Sequence, residues 1–498
     1  MNYTNLSTAR SIYRAKEVGM RKVAGSTRGN LTIQFLIESL LITSMSFVLA
    51  LILIQLGLPF FNEILEKSYS LWSLFSLEAI SAAIGLILVT SLLAGLYPAI
   101  YISGVRPLKA LSGKSLKSGG IPLRKVLIVF QFFTASAVIL FTFLVMDQIR
   151  FMQNQNLGFN KEQVLIIDAS NVPGATKKAS FKNELKGIAN VTNASFNNVL
   201  PGRPGWQGQW AYAEKVSEDH VTTEYMAIDE DYINTLNLQL IAGRNFELDR
   251  PSELEDGLII NETCVTAMGW NSPEEAIGKR IVSPSGTPEG KVIGVVKDYH
   301  GLGLQNPIWP KAMDYSSTSY GRYFAIQFGS GNTTELITQL EEKWTQLFPD
   351  YPMEYSFLDV DFDRQYKKEQ QLVTLLGVFT VMIIVISSIG LLGLVSFVAL
   401  SKTKEIGIRK TLGASIRQII LLLSKDFMIL VLIGNVLAIP LIWYLGRSWL
   451  ADFAYATSIN PLMFVLTALV TLIVSFATVG LQTLKTARMN PSRALRYE

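Results

Sequence analysis

The sequence predicts a membrane protein, a six-span α-helical bundle in two repeated units with an α+β domain inserted outside the cytoplasm. Three observations carry this prediction. First, the mean hydropathy of the 498-residue chain is +0.30, whereas soluble domains rarely average above zero. Second, a basic, glycine-punctuated decapeptide occurs twice, KEVGMRKVAG at 16–25 and KEIGIRKTLG at 404–413, each time just before a long apolar stretch. Third, residues 150–369 are polar and acidic while the rest of the chain is basic.

The spans come first. A bilayer core of about 30 Å takes roughly 20 mostly apolar residues as helix. Six stretches qualify, near 31–58, 76–102, 123–147, 372–400, 418–446 and 461–484. Core helices of soluble proteins are rarely this long or this uniformly apolar. The first 19 residues lack the apolar core of a signal peptide, so the spans themselves must drive insertion.

Topology follows from the loops. The segment 9–29 holds Arg10, Arg14, Lys16, Arg21, Lys22 and Arg28 against Glu17. The loop 103–125 holds Arg106, Lys109, Lys114, Lys117, Arg124 and Lys125 without an acid, and 401–417 holds Lys402, Lys404, Arg409, Lys410 and Arg417 against Glu405. The loops 59–73 and 447–460 are nearly free of positive charge. Six spans from a cytoplasmic N-terminus put every basic segment inside, with both termini cytoplasmic and 150–369 outside. That outer segment carries 20 basic and 30 acidic residues, about −10, which leaves 24 basic and 10 acidic residues, about +14, for the remainder.

Within 150–369, VLIID (164–168), KVIGVV (291–296) and YFAIQF (323–328) read as strands, and TTELITQLEEKWTQLF (333–348) has apolar positions at helical spacing. Two His and one Cys exclude a His/Cys metal cluster and an internal disulfide framework. Cys264 reads as a buried small apolar side chain. His220 and His300 stand among acids without a spaced nucleophile, so a structural role is expected for both. DVDFDRQYKKEQ (359–370) alternates carboxylates as a calcium loop does, but has Arg364 at the turn-glycine position and Gln370 at the final ligand. It is expected to cap and start the helix into the fourth span. GKS at 113–115 resembles a P-loop ending, but Leu108 stands where the first glycine is required. No catalytic constellation, metal site or nucleotide site is expected, and no nucleic-acid partner.

The repeat extends beyond the decapeptides. At an offset of 388, Lys16, Glu17, Gly19, Arg21, Lys22 and Gly25 coincide with Lys404, Glu405, Gly407, Arg409, Lys410 and Gly413. An acid recurs in the following span, at Glu38 and Asp426. Later VRPLKAL (105–111) matches MNPSRALR (489–496), with Pro107/Pro491, Lys109/Arg493, Ala110/Ala494 and Leu111/Leu495. The unit is a basic amphipathic segment, two spans, and a P-x-[KR]-A-L tail. Ile406, Ile408 and Leu412 can lie on the membrane or on a partner, while Lys404, Arg409 and Lys410 face the cytoplasm. Such a segment serves as an interfacial anchor or as a docking helix, duplicated because its partner is two-fold symmetric. Intramembrane acids are functional suspects by default, and here a contact to Arg21 or Arg409 is expected rather than a proton relay.

These residues resemble the FtsX/MacB/LolC-type ABC transporter permeases, in which a coupling helix of pattern K/R-E-I/V-G-I-R-K/R-x-x-G-A docks on the ATPase. The pattern holds at 404–414 and, with Ser26 for Ala, at 16–26. GRNF (243–246), GVVKDYH (294–300) and FLDVDFDRQY (357–366) look like the periplasmic core domain of MacB-like permeases. The resemblance implies a first FtsX-like unit at 31–113 after a basic segment 1–30, an outward span at 123–147, a MacB-like periplasmic core domain at 150–369, and a second FtsX-like unit at 372–498. It implies a multi-pass protein of the bacterial inner membrane. It further implies a transporter subunit, not an enzyme, that binds no cofactor itself. The ATP would be used by a cytoplasmic ABC ATPase dimer bound through 16–26 and 404–414. Membrane lipid, a periplasmic adaptor and an exported cargo complete the expected partners, and mechanotransmission is the expected mechanism. No polar stripe is read in the spans, which favours that mechanism over passage through a pore. Compared with a family half-unit, the first unit lacks its first span, its periplasmic domain and most of its second span, so residues 1–8 read as the stub of a missing helix. Two alternatives stand beside this reading. An ion-driven secondary transporter would need paired broken helices, and Pro98 and Pro440, read as helix breaks, do not correspond in the repeat. A sensor subunit would need a signalling partner.

Overall fold

The computed structural model describes residues 17–104, 121–203, 206–212, 221–282, 288–315 and 321–487. The chain forms two compact units. A helical unit draws on the chain up to Met146, on Gln371–Ser448 and on the chain from Ser458. An α/β unit draws on Asp147–Gln370 and Trp449–Thr457. The second part of the α/β unit is a correction to the sequence reading, which treats 447–460 only as a short loop between spans.

The helical unit opens with a short helix, α1 (17–23), followed by α2 (Arg28–Leu65) and α3 (Leu77–Ser103). α2 starts where the Thr27 hydroxyl accepts the Asn30 N–H at 3.3 Å. It ends at Glu66 in the left-handed conformation, φ 50°. A Cβ on Gly95 of α3 would stand 2.8 Å from Cβ of Ser39, so the two helices approach closely at that point. Both otherwise turn apolar side chains outward, as a span facing lipid does. Helix α4 (Ile121–Asn154) follows.

The α/β unit contains two sheets. Strands β1 (Val164–Asp168) and β2 (Val191–Asn197) flank helix α5 (Ala175–Leu185). They form a four-stranded antiparallel sheet with β10 (Tyr323–Phe328) and β11 (Glu354–Phe357), in the order β11-β1-β10-β2. Helix α6 (Thr333–Leu347) joins α5 on one face, where Leu165, Ile167, Phe181, Phe324, Leu340 and Trp344 make a core. The other face, through Val164, Ile166 and Ala325, joins a second core with Ile228, Ile259 and Met313. Burial on both faces is why VLIID is an unbroken apolar run.

The second sheet comprises β3 (Trp206–Tyr212), β4 (Val221–Ile228), β5 (Leu240–Gly243), β6 (Gly257–Asn261), β7 (Arg280–Val282), β8 (Pro288–Val296) and β9 (Lys311–Tyr315). Its order is β5-β8-β6-β9-β4-β3-β7, and β7 pairs back onto β8, so six strands close into a ring with β5 at its side. Cys264 is fully buried, and burial pushes its thiol up to about 12, so it stays a neutral apolar side chain.

The carboxylate-rich segment is helix α7 (Leu358–Asp363) and leads directly into α8 (Lys367–Ser401). Its acids hold cations of the protein itself. Asp361 accepts from Arg203 at 2.9 Å and lies 3.3 Å from Arg364, and Asp363 accepts from Lys161 at 2.8 Å. Then come α9 (Thr403–Thr411), α10 (Ile416–Leu450) and α11 (Leu462–Ala487). Contrary to the sequence reading, α10 passes unbroken through Pro440, and α3 through position 98. One lost hydrogen bond does not end a helix held by its neighbours in lipid. A Cβ on Gly434 would lie 2.8 Å from the backbone N of Phe133, which seats α10 directly on α4.

The spans do carry a polar stripe, a second correction. Thr467, Thr471, Ser475, Thr478 and Thr483 are all buried along α11. At a spacing of three to five residues among apolar neighbours, the stripe is hard to see in the linear sequence. Asn435 of α10 donates to Thr471 at 2.9 Å and accepts from Ser136 of α4 at 3.1 Å, tying three helices together.

Candidate functional site

The two decapeptide segments repeat in three dimensions, atom for atom where the chain allows it. Glu17 pairs with Arg21 at 2.7 Å, and Glu405 with Arg409 at 2.9 Å, both one helical turn apart. Gly25 at φ +96° and Gly413 at φ +90° end the two helices in the left-handed region. Around them Ser26 N donates to Arg21 O and Ala414 N to Arg409 O, each at 2.9 Å. The next helix is capped identically: Thr27 Oγ1 accepts from Asn30 N, and Ser415 Oγ from Gln418 N, each at 3.3 Å. Val18 packs on Leu31 and Phe35, and Ile406 packs on Ile419 and Leu423. Every one of these pairs is related by the offset of 388.

Each segment is thus a short basic helix seated by one buried apolar residue on the span that follows it. Gly19 and Gly407 are buried beside those residues, and Glu17, Arg21, Glu405 and Arg409 point outward. Lys22 donates to the carbonyl of Ser103, the last residue of α3, at 2.6 Å, a cation on a helix C-terminus. Ile406 therefore faces its own span, while Ile408 and Leu412 are exposed, Leu412 by 81 %. Lys16 and both P-x-[KR]-A-L tails lie outside the described residues, as do His220 and 113–115.

The profile of a permease family, described as FtsX-like permease C-terminal, matches residues 1–107 and 377–491, one match over each copy of this arrangement. Over those two stretches the chain is similar to the FtsX-like permeases. Six of its helices are long and apolar enough to cross a membrane, and its curated relatives are ABC transporter permeases. Among curated relatives, the uncharacterized ABC transporter permease YknZ of Bacillus subtilis is 24 % identical over 344 residues, 66 % of this chain and 82 % of YknZ. YvrN of the same organism, with the same description, is 25 % identical over 324 residues, 57 % of this chain and 74 % of YvrN. Among solved structures, the periplasmic region of MacB from Actinobacillus actinomycetemcomitans aligns at 17 % identity and a TM-score of 0.31, over 42 % of this chain and 94 % of that one. The extracellular domain of YknZ from Gram-positive bacteria aligns at 16 % identity and a TM-score of 0.27, over 39 % and 98 %.

The intramembrane acids of this chain take a different place from the one expected. Arg21 pairs with Glu17 and Gln34, and Arg409 with Glu405; among the described residues neither arginine reaches Glu38 or Asp426. The nearer acid one turn away in the same helix takes each guanidinium. Glu38 is half-buried and Asp426 exposed. Sequence reasoning placed Ile406 on the membrane or a partner rather than on its own span, and missed Val18, Leu31 and Ile419, which complete the two seats. The offset of 388 was the signal that could have found them.

His300, in the α/β unit, packs its ring edge-to-face on Tyr455 at 4.8 Å. Burial lowers its pKa, so it is held neutral.

Proposed function

We propose that this permease couples ATP hydrolysis by a separate cytoplasmic ABC ATPase dimer to motion of its extracellular α/β unit. The ATPase binds the two basic segments, α1 and α9. Closure of the ATPase pair on ATP moves both segments, and the spans pass the movement outward. In this mechanotransmission the chain carries no nucleotide itself, and the work is done on an exported or released peptide, drug or lipoprotein outside the membrane.

The observation that carries this reading is the duplication of one exposed basic helix, with the same ion pair, the same terminating glycine and the same apolar seat. A lipid anchor needs only amphipathic composition. Conserving an outward Glu–Arg geometry at two places suits two equivalent sites on a symmetric partner.

The test is co-elution of the detergent-purified chain with its cognate ATPase, in the parent and in the double variant Arg21→Glu, Arg409→Glu. Like-charge contacts at an interface cost several kcal/mol, so binding should weaken on the order of 100-fold or more. Binding equal to that of the parent would reduce the segments to membrane anchors and remove the basis of the proposal.

A further inference from the structure

The α/β unit includes a piece of chain that the membrane hairpin supplies. Trp449–Thr457, between α10 and α11, belongs to that unit. Ala454 N donates to Gln305 O and Tyr455 N to Leu304 O, both at 3.2 Å. The segment therefore lies along the 303–305 loop as an added strand would.

Gln148 of α4, with 0 % of its surface exposed, fixes the segment from the other side. Its Nε2 donates to Tyr455 O at 2.9 Å, and its Oε1 accepts from Thr457 N at 2.7 Å. A side-chain amide that spends both ends on one stretch of backbone acts as a peptide unit of a neighbouring strand would. Both bonds are part-buried, so losing the amide would leave backbone groups partly shielded from water without partners, at a cost in desolvation. The 303–305 loop is held in turn by the start of α8. Gly303 N donates to Gln365 Oε1 at 2.7 Å, and Leu304 N to the Tyr366 hydroxyl at 3.2 Å.

The connectivity gives this junction its meaning. Helix α9 sits in the chain directly between α8 and α10. Followed outward, α8 leads back to Gln365 and Tyr366, and α10 leads on to Ala454 and Tyr455. Both spans that flank the second coupling segment end at the same small cluster, and Gln148 pins it. The chain has little slack there: three residues separate the end of α10 at Leu450 from Ala454, at most about 14 Å of extended backbone.

We propose that the 449–457 strap, pinned by Gln148, is the element through which movement of α9 reaches the α/β unit. Gln148 and Tyr455 are positioning residues of that transmission. This rests on the ATP-driven motion proposed above.

The test uses the full chain with its ATPase in lipid nanodiscs and two spin-label pairs. Labels at Met20 and Leu412 read the input, the two coupling segments. Labels at Glu66 and Glu255 read the output, the α/β unit against the first hairpin. Two variants are compared with the parent: Gln148→Leu, and an insertion of four glycines between Phe453 and Ala454, which keeps the contacts of Ala454, Tyr455 and Thr457 but slackens their link to α10. In the parent, a non-hydrolysable ATP analogue should change both distances. In both variants the input change should persist while the output change falls by more than half. An output change equal to the parent's in both variants would overturn the strap. Loss of the input change in the glycine variant would also overturn it, because the strap is placed downstream. A parent whose input moves and whose output does not would refute the mechanotransmission reading, and the strap with it.

Discussion

The two hairpins, α2–α3 and α10–α11, are alike at one end and unlike at the other. At the basic end, ion pair, glycine, cap and apolar seat repeat at an offset of 388. At the other end, the α2–α3 loop closes on itself. Asn62 donates to Tyr69 O at 2.9 Å and accepts from Tyr69 N at 3.0 Å, and Gln371 at the base of α8 donates to Ile64 O. The α10–α11 loop gives its backbone to the α/β unit instead. The difference teaches that the basic end of the hairpin is duplicated, while the other end is specialised in the second copy alone. On the proposed function, two equal docking helices would drive a structure in which only the second hairpin supplies part of the α/β unit.

Substitutions that treat equivalent or contrasting positions alike can break or sharpen that comparison. The largest expected effect on stability is at Gly434. A Cβ there meets backbone atoms of α4, at 2.8 Å from Phe133 N and 3.0 Å from Val129 O, which cannot swing aside. Gly434→Ala should cost about 2–3 kcal/mol, the upper part of the usual overpacking range. Gly95→Ala meets the Ser39 side chain, part of which can rotate, and should cost about 1 kcal/mol. Thermal unfolding in detergent measures both, and equal losses would remove the contrast in packing between the two hairpins.

Next comes Asn435→Leu, which removes the amide joining α4, α10 and α11. Interhelical hydrogen bonds in lipid average about 0.6 kcal/mol and reach about 1.7, so a loss of about 1 kcal/mol is expected. The equivalent position in the first copy is Phe47, which has no such bond to lose. An effect of similar size belongs to Gly25→Ala and Gly413→Ala. A Cβ at either meets nothing within 4 Å, so only the left-handed backbone is penalised, by about 1 kcal/mol each. The two losses should be equal. A glycine whose replacement costs clearly more than the other's would mark its segment as differently held.

Much of this was legible in the sequence. β1 and β10 fall on VLIID and YFAIQF, because β-branched and aromatic runs bounded by polar residues leave few alternatives. The spans follow from length and composition, and the repeat put α1 and α9 in register before any coordinates. What was not legible depends on contacts distant in sequence. Gln148 and Tyr455 are about three hundred positions apart, and neither belongs to a motif. The hydroxyl stripe of α11 hides in an apolar stretch because its members are single small hydroxyls spaced a turn apart, and Thr471 and Thr478 bond the carbonyls of Thr467 and Val474 in the preceding turn, at 2.9 and 2.8 Å. The expected contact of Arg21 with Glu38 failed for a local reason, since Glu17 is one turn away.

The central claim is that the two basic segments are equivalent inputs. The most direct test measures ATPase affinity for the single variants Arg21→Glu and Arg409→Glu side by side, in the same detergent and salt. Each reverses one exposed charge at equivalent geometry, so both should weaken binding, and by factors that agree within about threefold, roughly 0.6 kcal/mol. A loss confined to one variant, with the other binding as the parent does, would contradict the account.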